Sequence, residues 1–219
     1  MIGRVRFRWA WLCPLGLLAG CGGSGGGGRG PEPASGAALP VAGDWRRIAT
    51  SGDRQRLRQW RPAWVDALAR ARRKDAAAIG AEGALFAFDN AVAGPLPPPG
   101  EYRCRVFKLG ARTPGGADFV SYPWFACRIA EEDGGRLSLT KLTGSQRAVG
   151  TLFADDGMRA VFLGTLLLGD EKRPFSYGRD VSRDLAGWME RIGPARWRLA
   201  LPYPAFESTL DVVELVPAA

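Results

Sequence analysis

From Glu101 to its end the chain alternates in character with a period of two, and short turn signals break the pattern at close intervals. Tyr102, Cys104 and Val106 alternate with Arg103, Arg105 and Phe107. Further strand candidates are 119–130, 136–142, 147–154, 158–168, 184–191, 195–201 and 210–216. Between them stand Asp133-Gly134-Gly135, Thr143-Gly144-Ser145, Asp156-Gly157, Gly169-Asp170 and Ile192-Gly193-Pro194, the residue types of tight turns. Parallel neighbours need a crossover of about a dozen residues or more, for which this spacing leaves almost no room. The pattern predicts an antiparallel meander of about eight strands, and a sheet of that size closes or folds over to remove its edges. The expected fold is α+β: short N-terminal helices over 44–94, then a small lipocalin-like β-barrel over 101–219. A two-sheet sandwich is the alternative.

The helical region shows a different period. Ser51-Gly52-Asp53 forms a candidate N-cap region, and Leu57, Trp60, Trp64, Ala67, Leu68 and Ala71 then recur every three or four residues. Arg54, Arg56, Arg58, Arg61, Arg70, Arg72 and Arg73 lie largely off that stripe. Pro62 lacks an N–H and must kink the run or start a second helix. The helical signal continues from Asp75 to Ala81 and fades before Glu82-Gly83. Pro95-Leu96-Pro97-Pro98-Pro99-Gly100 cannot continue a helix, so 95–100 reads as a stiff joint between the helical and strand regions.

The N-terminus carries an address. Arg4, Arg6 and Arg8 precede a short apolar stretch from Trp9 to Leu18, then Leu18-Ala19-Gly20-Cys21. The apolar core is far shorter than the ~20 residues that span a bilayer, and it suits a signal peptide. The four-residue motif resembles the lipobox of bacterial lipoproteins, which implies cleavage after residue 20 and acylation of Cys21. Gly22 rather than Asp follows the cysteine, which by resemblance favours the outer membrane, with the domain facing the periplasm. Residues 21–43 read as the acylated cysteine and a Gly/Pro-rich disordered tether.

With Cys13 removed and Cys21 acylated, Cys104 and Cys127 are left, and two cysteines in an exported chain favour a disulfide. The formal charge of +8 is unevenly spread: 21–74 holds eleven Lys or Arg against four acids. Such a basic segment suits an anionic lipid surface or a solvated helix face. An exported chain has no call on nucleic acid.

The chain contains no histidine, so Ser-His-Asp and Cys-His nucleophile systems are excluded. Asp155 and Asp156 are adjacent, and consecutive residues of an extended chain point to opposite faces. Ser145 lies outside any nucleophile elbow, and Gly22 to Gly28 lacks the ending of a phosphate loop. No metal and no cofactor is indicated. The densest polar set is Tyr177, Arg179, Asp180, Arg183 and Asp184, with Lys141 and Arg147 as companions. Arginines in such a set can grip a carboxylate or phosphate through two parallel bonds, or pair with the aspartates and pin a loop. Arg103, Arg105 and Arg128 flank the cysteine pair and form a second basic patch if they share a strand face.

Several segments together carry a family resemblance: Asp44-Trp45-Arg46, Glu82-Gly83-Ala84-Leu85-Phe86 and Gly100-Glu101-Tyr102-Arg103-Cys104-Arg105. They continue with Lys141-Leu142-Thr143-Gly144-Ser145-Gln146-Arg147, Tyr177-Gly178-Arg179-Asp180 and Leu210-Asp211-Val212. From about 43 to 217 the chain resembles the uncharacterised exported bacterial proteins of domain of unknown function 4893. The resemblance implies no activity, ligand or catalytic residue. The expected role is a membrane-anchored, non-catalytic binding protein for a small envelope component. The alternative is an interaction, assembly or enzyme-inhibitor module of the envelope, since Tyr102-Arg103-Cys104 is similar to the Tyr-x-Cys strand of small lysozyme-inhibiting lipoproteins. A carboxylate or metal hydrolase is disfavoured by the missing histidines.

Overall fold

A computed structural model describes residues 45–218. The signal segment, Cys21 and the tether lie outside the described residues. Four helices come first: α1 (Trp45–Ile48), α2 (Ser51–Arg58), α3 (Trp60–Lys74) and α4 (Ala76–Ala81), then a 3-10 turn at Gly83–Leu85. The strands are β1 (Gly100–Ala111), β2 (Phe119–Glu132), β3 (Arg136–Lys141), β4 (Gln146–Ala154), β5 (Arg159–Leu168), β6 (Asp184–Gly193), β7 (Arg196–Pro202) and β8 (Ser208–Pro217). Every neighbouring pair is antiparallel, and β8 returns to pair with β1, Cys104 opposite Leu215. The barrel is closed and of the lipocalin-like kind; the sandwich does not form. Among the described residues no helix is long and apolar enough to cross a membrane.

Local chemistry explains the helix boundaries. The Thr50 hydroxyl accepts from the Asp53 N–H and caps α2. The chain breaks at Gln59, which places Pro62 in the first turn of α3, where its missing N–H has no helical partner to lose. Asp75 ends α3 and caps α4 by accepting from the Ala78 N–H at 2.9 Å.

Two cores result. One fills the lumen with the inward positions of the strands, among them Tyr102, Cys104, Leu139, Phe162, Met189, Trp197, Leu199 and Leu215. The other lies between the outer wall and the helices, where Trp60, Trp64, Ala67 and Leu68 of α3 meet Phe107, Leu109, Leu210 and Val212. Strands β5, β6 and β8 are therefore buried on both faces, which is why Val161 to Leu168 reads as a continuous apolar run. Each large side chain so buried contributes about 1.5–3 kcal/mol. Trp188 adds a bond from its indole N–H to the Leu57 carbonyl at 3.1 Å.

Inside the lumen Gly150 on β4 pairs with Gly164 on β5, and the Phe162 ring lies against both. A Cβ at either glycine would come within 2.4 Å of a backbone oxygen, so the pair lets the strands approach around that ring. Cys104 and Cys127 are bonded, with Cα atoms 5.8 Å apart, and tie β1 to its neighbour β2 on the lumen side. Arg198, fully buried on the outer wall, donates to Glu190 at 2.7 Å and to the carbonyls of Leu85, Ala87 and Phe88. It thereby fastens the segment after the 3-10 turn to β7.

The proline segment does more than join. Pro95 and Pro97 are buried, and Leu96 packs against the lumen core. The Tyr102 hydroxyl donates to the Pro98 carbonyl at 2.7 Å. Val92 bridges to Arg191, and the Gly94 N–H donates to Gly157. The segment therefore lies as a strap across the barrel end formed by the β2–β3, β4–β5 and β6–β7 turns, and plugs it.

Candidate functional site at the open end of the barrel

The opposite end, where β1–β2, β3–β4, β5–β6 and β7–β8 connect, holds a recess with two compartments. The inner one, about 50 Å³, is walled by Val106, Ala148, Leu166, Leu185, Leu201 and Val213 and roofed by Pro204 to Phe206. The outer one, about 280 Å³, lies against Tyr122, Phe125, Gly144 and Ser145. Val106, Lys108, Lys141 and Gln146 line both. The wall is thin here for a topological reason. β2 pairs with β3 only over Cys127–Glu132, so Phe119 to Phe125 has a partner on the β1 side alone. A β-bulge at Tyr122-Pro123 on β2, opposite Val106 of β1, bends β2 at this point.

Among the described residues, Lys108, Lys141 and Asp211 bring charge into the recess from the strands, and Gln146, Ser182 and Arg183 also line it. Lys108 donates to Asp211 Oδ2 at 3.1 Å and lies 3.3 Å from Glu207 Oε2. Asp211 also accepts from the Ser208 hydroxyl. Burial works against the Lys108 ammonium, but Asp211 and Glu207 together hold its pKa above the ordinary value, while burial raises that of Asp211. Among the described residues Lys141 has no carboxylate partner. Its ammonium donates to the carbonyls of Thr143 and Gln146 at 2.8 and 2.9 Å and sits 3.6 Å from the centre of the Phe125 ring. Burial, and then the charges of Arg147 and Lys108, push its pKa down to about 8.

The roof is under strain. Tyr203 and Glu207 have φ of 47° and 66°, a left-handed backbone that side chains disfavour by about 1 kcal/mol or more each. The turn is held by the Arg112 guanidinium on the Pro204 carbonyl at 2.6 Å and the Arg112 N–H on the Glu207 carbonyl at 2.8 Å. Strain retained against several fixed bonds marks a turn whose side chains are being positioned, here Phe206 over the recess and Glu207 beside Lys108.

Of the polar set expected from the sequence, Lys141 and Arg183 line the recess. Arg183 is occupied by Glu171, at 2.7 Å to each carboxylate oxygen, and its guanidinium lies over the Phe175 ring. Arg147 donates to the carbonyls of Gly169 and Glu171 and pins the β5–β6 loop. Asp180 caps the Ser182 N–H and hydroxyl, and Asp184 accepts from the Gly178 N–H. Tyr177 faces the helices instead: its hydroxyl donates to Asp53 at 2.6 Å and accepts from the Thr50 N–H, and burial raises its pKa. Arg179 is exposed. The set thus divides between the recess and the docking of one loop onto α2.

Sequence reasoning missed Lys108, Gln146, Asp211 and the 203–207 turn. The signal was present for Lys108, the one charge on the Tyr102, Cys104, Val106 face of β1. The second basic patch is largely neutralised, Arg105 by Glu82 and Glu214 and Arg128 by Glu101. Asp155 accepts from the Trp45 indole and Asp156 caps the turn at Met158 and Arg159. Among the described residues no three His, Cys, Asp or Glu side chains converge as metal ligands.

Comparison with curated proteins gives no match, and comparison with solved structures gives none. A family model matches residues 45–215, from the first helix to the last strand. By that match the chain belongs to the family described as domain of unknown function 4893 (DUF4893).

Proposed function

We propose that this is a non-catalytic binding protein that takes a small component of the cell envelope into the open end of its barrel. In this reading an acylated Cys21 anchors it, with the outer membrane favoured and the domain facing the periplasm. The observation that carries the reading is the recess itself: apolar walls, a few inward polar groups and a roof held under strain, in a lumen otherwise filled and plugged. Convergent polar groups in an apolar hollow are the usual make-up of a small-molecule site. Native mass spectrometry of the full chain, purified from its own envelope, tests it. A small molecule should co-purify, and Ala148→Leu, which narrows the inner compartment, should lose it while the fold persists by circular dichroism. A bare chain would sink the reading. Release from membranes by Cys21→Ser tests the anchor separately.

One feature favours an envelope interaction or inhibitor module as a second reading. Trp124 on β2 is 40% exposed, with the Arg103 and Arg105 guanidiniums 5.1 and 4.8 Å from its ring centre. Trp and Arg are the residues that most often dominate protein interfaces. A protein that co-purifies and is lost with Trp124→Ala would favour this second reading.

A further inference from the structure

Resting on that reading, we propose that the ligand is a small apolar acid whose single carboxylate or phosphate monoester group sits between Lys108 and Lys141. The argument begins with donors. An ammonium has three N–H groups. Lys108 directs two toward Asp211 and Glu207, and Lys141 gives two to the Thr143 and Gln146 carbonyls. Lys108 keeps one donor and Lys141 keeps one beside the Phe125 ring, and both side chains line both compartments.

Charge points the same way. Lys108 and Lys141 are both 6% exposed; the buried carboxylate Asp211 pairs with Lys108, and Glu207 reaches the same ammonium from the exposed rim. The neighbouring cations are engaged elsewhere, Arg183 with Glu171 and Arg147 with loop carbonyls. Lys108 holds both carboxylates and Lys141 holds none among the described residues, so a local positive surplus stays at Lys141, and a buried charge without a counter-ion is costly. A neutral ligand leaves that surplus in place and a cationic one adds to it. An anion removes it and completes both donor sets.

The remainder of the ligand follows from the walls. The inner compartment, about 50 Å³, sets the polar groups Gln146, Ser182, Arg183 and Asp211 with the lysines against a wall of aliphatic side chains. A cavity of ~150 Å³ accepts benzene, so this one takes the end of a short alkyl group. The outer compartment, about 280 Å³ against Tyr122 and Phe125, receives the rest.

The test uses the chain carrying Cys21→Ser, so that no detergent competes, with four probes below their micelle concentrations: octanoate, octyl phosphate, octanol and octylamine. Isothermal titration should show one or both anions binding at least about 10-fold more tightly than octanol, and octylamine not binding. A preference between the two anions identifies a carboxylate or a phosphate source. Lys141→Met should weaken the preferred anion about 10-fold or more and leave octanol unchanged. Octanol equal to both anions would overturn the acid inference while leaving the small-molecule reading intact. No binding of any probe, with nothing co-purifying from the envelope, would overturn both.

Discussion

At one end of the barrel the chain closes its own lumen with Leu96, Tyr102 and a strap of prolines; at the other it stops short and leaves two ammoniums facing a hollow. The plugged half is apolar and complete: Phe162 lies over a glycine pair, and Trp197 meets Tyr102 edge to face. The open half has a thinned wall, a strained roof and charges drawn inside. Stability is therefore concentrated in the first half, and the second spends some of it on holding side chains in place.

The contrast predicts opposite responses to mutation. In the filled half Phe162→Ala should cost about 3–5 kcal/mol, since a fully buried ring leaves a cavity that its strand pair cannot close. Thermal unfolding would read this as a fall of many degrees; a loss under about 1 kcal/mol would mean that the lumen is loosely packed. Replacing both Cys104 and Cys127 by Ala, which share the lumen core, should cost about 3 kcal/mol on the loop-closure estimate, with wide spread. Chemical denaturation measures it.

The open half should behave the other way. Lys141 has a folded pKa near 8 against an ordinary 10.5, so between these values the unfolded chain holds a proton that the folded chain has released. Stability should rise with pH across that window, by roughly 3 kcal/mol at most, and the rise should be absent in Lys141→Met. The buried hydroxyls of Tyr102 and Tyr177, with raised pKa values, reverse the slope above about pH 10, so denaturation at pH 7.5 and 9.5 is the useful pair. Flat stability over that interval would show Lys141 to be well solvated. The smallest effect is expected at the roof. Glu207→Gly removes a disfavoured φ but also one of the two carboxylates on the buried Lys108 ammonium, which keeps Asp211, and should be neutral to within about 1 kcal/mol. A clear loss of stability would mean that the turn is not strained.

The fold was largely legible because the signals that specify it are local. Period two from Glu101, Gly-containing turns and the absence of room for crossovers lead to the meander, and observed strands differ from the expected ranges by a residue or two at most ends. The strap was legible as a breaker of helices but not as a plug, since nothing local says that Leu96 reaches the lumen. The recess was harder still. Lys141 stood out beside Arg147, but Lys108 and Asp211 lie 103 residues apart and meet only through the β1–β8 closure. Crowded polar loop sequence also pointed to Asp180 and Asp184, whose carboxylates accept bonds within their own loop, and to Arg179, which is exposed.

Among the described residues, the half of β2 that carries the Tyr122-Pro123 bulge has no partner on the β3 side. A bare strand edge is a template for another chain, and a bulge twists that edge out of the flat row an incoming strand would need. The side of the barrel can therefore remain ajar without inviting self-association: what enters must be held by side chains, and a molecule with a backbone to pair finds the edge spoiled.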